Sequence, residues 1–175
     1  MNLRRMLVAT LLFLSPRALA APSLTGAPAP EFTVRSLDNR DLRLASLRHH
    51  GPVIVEFWAT WCDSCGVALT ELEGWRKQYG ARGLEIVAFS ADGTRNISKV
   101  RPYVLRLHVH YPVAMDDGQR FQKLYHANDV PTAYLVDRSG NIMAIRSGWQ
   151  RGDTRFSSSL AAQFGAEPTA KKAAR

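Results

Sequence analysis

The spacing of apolar and polar positions changes period several times along this chain, and each change marks an element. Residues 53–58, Val-Ile-Val-Glu-Phe-Trp, are apolar apart from Glu56 and rich in β-branched and aromatic side chains. That is the pattern of a strand buried on both faces inside a parallel sheet. Glu56 is out of place in it. Further on, Ala68, Leu72, Trp75 and Tyr79 step by four, three and four, one face of an amphipathic helix that stops at Gly80. Residues 83–90 read as a second buried strand, so strand, helix and strand imply a right-handed crossover and a parallel pair.

Around this unit the pattern is shorter in wavelength. Alternation from Pro30 to Val34 and from Leu42 to Leu44, about a turn at Asp38-Asn39, predicts a hairpin. Residues 94–108 are predicted helical, with Ile97, Val100, Val104 and Leu107 on one side and Pro102 placed to kink the helix or end its first part. Tyr111 to Met115 is predicted as a short strand, and Phe121, Leu124 and Tyr125 mark a short helix. Val130-Pro131 leads into an apolar strand ending at Asp137, a place where a residue without an N–H is tolerated. A turn at Ser139-Gly140, a strand over 141–145 and a last helix facing inward through Phe156, Leu160 and Phe164 complete the chain.

The ends have a different character. Arg4 and Arg5 precede an apolar run from Met6 to Leu14, and Ala18-Leu19-Ala20 supplies a small-x-small pattern, so residues 1–20 read as a cleaved secretory signal. This nine-residue run, ended by Ser15-Pro16, is too short to span a bilayer, so the processed chain is not expected to be a transmembrane protein. Residues 21–30, rich in Ala and Pro, are expected as a flexible lead-in, 31–165 as one domain, and 166–175 as a disordered basic tail. The 175-residue chain has 46% hydrophobic residues and a formal charge of +8, and loss of the signal leaves +5. Much of that surplus lies in Lys171, Lys172 and Arg175, with no interleaved aromatics, which argues against a nucleic-acid site.

Candidate chemistry centres on the only two cysteines, Cys62 and Cys65, at the corner where the first buried strand hands over to its helix. Unpaired N–H groups and the positive dipole end there favour a thiolate, which makes Cys62 the expected nucleophile. Cys65, one helical turn on, is placed to resolve a mixed disulfide, at a Cα separation of about 5–6 Å that a disulfide tolerates. Export to an oxidising, periplasmic compartment would leave the pair joined unless electrons are supplied, so a source of electrons is an expected partner.

The segment Glu56-Phe57-Trp58-Ala59-Thr60-Trp61-Cys62-x-x-Cys65 resembles the active-site stretch of thioredoxin-fold proteins, and within them the extracytoplasmic TlpA/ResA-like thiol:disulfide oxidoreductases. Val130-Pro131-Thr132-x-x-Leu135-Val136-Asp137 resembles the cis-proline loop that those proteins set against the active-site sulfurs. The resemblance extends over roughly residues 28 to 150. It implies an α/β, thioredoxin-like fold: a central mixed sheet flanked by helices, an N-terminal hairpin and a central helix-strand insertion. It implies disulfide exchange with exported protein thiols, apocytochrome c among them, fed by a membrane electron donor, and no cofactor. Glu56 matches the buried carboxylate position of thioredoxins and is expected to exchange a proton with Cys65. A carboxylate in an apolar strand should have a raised pKa, while the competing expectation turns Glu56 to the sheet's edge or pairs it with a basic residue. Val130 would offer its backbone to an incoming peptide, Trp61 would contact substrate, and Trp58 would pack.

Several positions depart from the family pattern. Asp63 and Ser64 replace the usual residues before the second cysteine, where proline is common, and an acid beside Cys62 opposes its ionisation and leans the pair to the reducing side. Thr70 stands where a helix proline is frequent, and Ala68 where some relatives carry a glutamate. Three other readings stay open. A thioredoxin-like peroxidase shares the hairpin opening but wants a lone cysteine with a nearby Pro, Thr and Arg, which Asp63-Ser64 do not supply. A metal site, including copper handling for oxidase assembly, would use the two thiols with His49, His50, His108, His110 or His126. A purely structural disulfide is the third possibility. Trp149 has no assigned role.

Overall fold

A computed structural model describes residues 24–93 and 96–165. The expected signal, the expected tail and the first two positions of the helix expected at 94–108 lie outside the described residues. The hairpin comes first: β1 (Thr33–Arg35) and β2 (Asp41–Arg43) pair antiparallel with Val34 opposite Leu42, and α1 (Leu44–Leu47) follows directly. Asn39 turns the hairpin at a φ of 63°, a left-handed conformation that Asn tolerates better than most residues.

The crossover unit consists of β3 (Val53–Trp58), α2 (Cys65–Tyr79) and β4 (Glu85–Ser90). As the apolar run requires, every residue of β3 is buried, and β3 and β4 are parallel with Glu56 opposite Ala88. Then come α3 (Ile97–Arg106), β5 (Val113–Met115), α4 (Arg120–Leu124), β6 (Thr132–Val136), β7 (Ile142–Ser147) and α5 (Arg155–Ala162). One mixed sheet of order β5-β4-β3-β6-β7 results, parallel on the β5 side of β3 and antiparallel on the β7 side.

Alternation along β3 divides the core. Ile54 and Trp58 face a layer built from α2, α3 and α5, with Leu69, Leu72, Val100, Val104, Phe156 and Leu160 in it. Val53, Val55 and Phe57 face the hairpin, α1 and α4, with Phe32, Leu42, Leu44, Phe121 and Tyr125. Glu56, two residues from both Ile54 and Trp58, therefore leaves the sheet on the side that α2 covers. Burying side chains such as Leu69 and Leu72 contributes about 1.5–3 kcal/mol each, which fixes α2 to that face.

Three local expectations are narrowed or corrected. Of the two outcomes expected at Pro102, an end to the helix is not found: α3 continues past it, and the Ser98 carbonyl that loses its donor lies on the exposed side, where water can serve it. Ile97 is exposed rather than packed with Val100 and Val104, and Tyr103 takes a core place on α3 by packing on Trp58, ring centroids 5.4 Å apart. The expected lead-in is tied down over its described part: Gly26 and Ala29 N–H groups donate to the Ile142 and Gly140 carbonyls, and Ile142 N–H to Ala27. That pairing covers part of the outer edge of β7.

Candidate redox site

The site lies at the C-terminal end of β3. Residues 59–64 turn the chain into α2, with the Cys62 N–H donating to the Ala59 carbonyl and the Cys65 N–H to the Cys62 carbonyl. Asp92, buried just past the end of β4, holds this turn in place. Its carboxylate accepts from the Thr60 N–H at 2.9 Å, from the Thr60 hydroxyl and from the Ser90 hydroxyl at 2.6 Å. Because Thr60 stands two residues before Cys62, these bonds locate the sulfur through the backbone.

Cys62 and Cys65 form a disulfide with Cα atoms 5.4 Å apart, within the separation expected from their spacing. Cys62 is 9% exposed and Cys65 fully buried, so only the first sulfur is presented to a partner. The Val130–Pro131 peptide bond is cis, and the Val130 carbonyl oxygen lies 3.5 Å from Cys62 Sγ. This loop is fixed at both ends: the Thr132 hydroxyl donates to the Asp129 carbonyl at 2.7 Å, and the Gly148 N–H donates to the Pro131 carbonyl at 2.7 Å. Ser64 Oγ lies 3.8 Å from Cys62 Sγ, a polar neighbour on the same turn.

Trp61 is 60% exposed beside Cys62, whereas Trp58, the last residue of β3, is buried. A groove opens on each side of Trp61. One is lined by Lys99, Tyr103 and Arg106 of α3, the other by Gln122, Asp129 and Val130. Thr70 donates its hydroxyl to the Gly66 carbonyl within α2, and Ala68 is buried without any acidic function at that position.

Glu56 is wholly buried and neither carboxylate oxygen has a hydrogen-bond partner among the described residues. Burial pushes its pKa from 4.5 up to about 8; Arg146 works against the rise and Glu71 adds to it. The edge-facing and paired alternatives for Glu56 are thus both absent. Sequence reasoning missed Asp92 and Arg146. For Asp92 a signal existed, an acid at the end of a buried strand next to the one that leads to Cys62. Arg146 gave none, because an irregularity in the β6–β7 pairing at Leu135/Val136 breaks the period-two alternation from which its face could be read.

Among the described residues no group of three or more His, Cys, Asp or Glu is arranged to hold a metal. Two of the candidate histidines have other partners: His110 Nδ1 lies 3.1 Å from Glu73 Oε1, and His50 Nδ1 lies 3.0 Å from Glu85 Oε1.

A mixed five-stranded sheet, a Cys-x-x-Cys disulfide at a strand-to-helix corner and a facing cis-proline loop define a thioredoxin-fold protein with a disulfide-forming pair. The chain belongs to the AhpC/TSA family, which it matches over residues 25–145. It is 33% identical over 118 residues to the thiol-disulfide oxidoreductase ResA of Bacillus thuringiensis (strain Al Hakam), a match covering 67% of this chain and 66% of the relative. With the ResA protein of Bacillus thuringiensis subsp. konkukian it shares 32% identity over 125 residues, covering 71% of this chain and 70% of the relative. A similar solved structure is that of a thiol:disulfide interchange protein, thioredoxin family protein, from Chlorobium tepidum TLS. The two agree with a TM-score of 0.67 at 25% identity, over 83% of this chain and all of the other. No described helix is long and apolar enough to cross a membrane.

Proposed function

We propose that this protein is an extracytoplasmic thiol:disulfide oxidoreductase that reduces disulfides in exported proteins through Cys62 and Cys65. The observation that carries the reading is the placement of the more exposed sulfur, Cys62 Sγ, 3.5 Å from the Val130 carbonyl with Trp61 open beside it. A peptide laid along Val130 by β-type pairing brings its own disulfide to Cys62. The Cys62 thiolate attacks one substrate sulfur and displaces the other, giving a mixed disulfide. Cys65 then loses its proton to the Glu56 carboxylate and attacks Cys62 Sγ. The substrate sulfur bonded to Cys62 leaves as a thiolate, and the Cys62–Cys65 disulfide is regenerated. Two electrons pass to the substrate, and a membrane donor returns them by the reverse exchange.

Periplasmic residence is supported by Arg4-Arg5, the apolar run to Leu14 and Ala18-Leu19-Ala20. The reducing direction is supported by exposed Asp63 beside Cys62, a negative charge that opposes thiolate formation. Apocytochrome c, with its paired cysteines, is a substrate of suitable chemistry. The test is a trapping experiment in periplasmic extract: Cys65→Ser accumulates mixed disulfides through Cys62, and Cys62→Ser does not. Equal trapping by both variants overturns the assignment of the nucleophile, and trapping by neither overturns the function.

A further inference from the structure

Glu56 belongs to a row that crosses the sheet. The register sets Glu56 opposite Ala133 and Ala133 opposite Arg146, so all three side chains leave the sheet on the face that α2 covers. On its other flank Glu56 faces Ala88. With alanine on both sides, no bulky group of the row stands between the Glu56 carboxyl and the Arg146 side chain. Arg146 is itself buried, its guanidinium held 5.4 Å from the Trp75 ring centre and 5.3 Å from that of Phe156. Its Nη1 donates to Glu71 Oε2 on α2 at 2.6 Å, while Nη2 has no hydrogen-bond partner among the described residues.

One permanent positive charge thus stands under α2 with two carboxyl groups in reach, and it can compensate only one of them at a time. An arginine cannot shed its proton to relieve the imbalance, so the carboxyls must adjust. The Glu71 side chain is 33% exposed and water helps to stabilise its charge; Glu56 has no such help. With Glu71 holding the guanidinium, Glu56 keeps its proton, and when Glu56 ionises the unused Nη2 arm is the nearest source of balancing charge. Resting on the oxidoreductase reading, we propose that Arg146 is a positioning residue for the proton-transfer step, a counter-ion shared between Glu56 in the core and Glu71 at the surface.

In that step the Cys65 thiol proton moves to the Glu56 carboxylate, leaving a Cys65 thiolate and a neutral Glu56. The positive charge of Arg146 is then returned to Glu71. Other groups face this cluster. Tyr111, whose hydroxyl donates to the Leu69 carbonyl at 3.0 Å, is held well above its ordinary pKa by burial and by Glu56, so it stays neutral. Asp153 also feels Arg146, but its main partner is Arg155.

The test follows the Glu56 carboxyl by carbon-13 NMR in the disulfide form, assigned by comparison with Glu56→Gln, through a pH titration of the wild type, Glu71→Gln and Arg146→Met. The Glu56 midpoint should move down in Glu71→Gln and up in Arg146→Met, by roughly half a pH unit or more in each case. Arg146→Lys, which keeps the charge, should return the midpoint toward wild type. The pH profile of mixed-disulfide resolution should shift in the same sense as the titration. Shifts of the same sign in both variants, or an unmoved midpoint in Glu71→Gln, overturn the proposal; if Arg146→Met does not fold, the Glu71→Gln result decides alone. Because the NMR titration needs no turnover, its outcome is independent of whether the protein exchanges disulfides.

Discussion

Replacing Glu56 by Gln should change how stability depends on pH, and the sign and size follow from its burial. Below pH 4.5 the carboxyl is protonated in both the folded and the unfolded chain, so it contributes no pH dependence. Between 4.5 and about 8 the unfolded chain gives up the proton while the folded chain retains it. The unfolded state then binds fewer protons, and stability falls as pH rises, by about 1.4 kcal/mol per unit. Above about 8 both states are ionised and the loss is complete, on the order of 5 kcal/mol in total. Gln has nearly the same shape and does not ionise. The difference in unfolding free energy between Glu56→Gln and wild type should therefore grow in the variant's favour from pH 5 to pH 8 and then level off. Guanidinium unfolding of the disulfide form, followed by tryptophan fluorescence at each pH, measures it; groups common to both proteins cancel. Parallel stability profiles for the two proteins would show that Glu56 does not hold its proton in the folded state, and the reasoning about its role fails with it. The same variant should slow resolution of a mixed disulfide by about a hundredfold or more through loss of the proton acceptor.

Asp92→Ala leaves the Thr60 N–H, the Thr60 hydroxyl and the Ser90 hydroxyl without their acceptor. Chemical denaturation should register a loss of about 1–3 kcal/mol, and stopped-flow reduction should register slower attack by Cys62. Trp61→Ala should leave stability within about 0.5 kcal/mol of wild type, since the ring is mostly exposed. In steady-state assays it should raise KM for a protein disulfide while hardly changing turnover of a small aromatic disulfide.

How much of this was legible beforehand depended on whether local pattern decided the outcome. The six-residue run at 53–58 could only be a buried strand, and the two cysteines at its end, with Pro131 opening another apolar strand, named the site. Trp58 and Trp61 separated because the first closes the buried strand and the second lies in the turn beside Cys62. Ile97 misled because α3 is amphipathic with a second inward candidate, Tyr103, whose ring packs better on Trp58. Pro102 does not end α3, since the Ser98 carbonyl it leaves without a donor is on the exposed side. Residues 24–30 looked unstructured by composition, yet their backbone bonds to residues 140–142, a long-range pairing with no local signature. Arg146 was illegible for a related reason: its face depends on the pairing irregularity between β6 and β7, and its importance depends on Glu56 of a third strand, reached across Ala133.

The Gly148 N–H that fastens the Pro131 carbonyl comes two residues after Arg146 on the same stretch of chain. Loop and counter-ion thus share a single mooring at the rim of the sheet. A lesion at 146–148, some eighty residues from the sulfurs along the chain, should therefore mimic an injury to the thiols themselves, blunting partner capture and proton handling together.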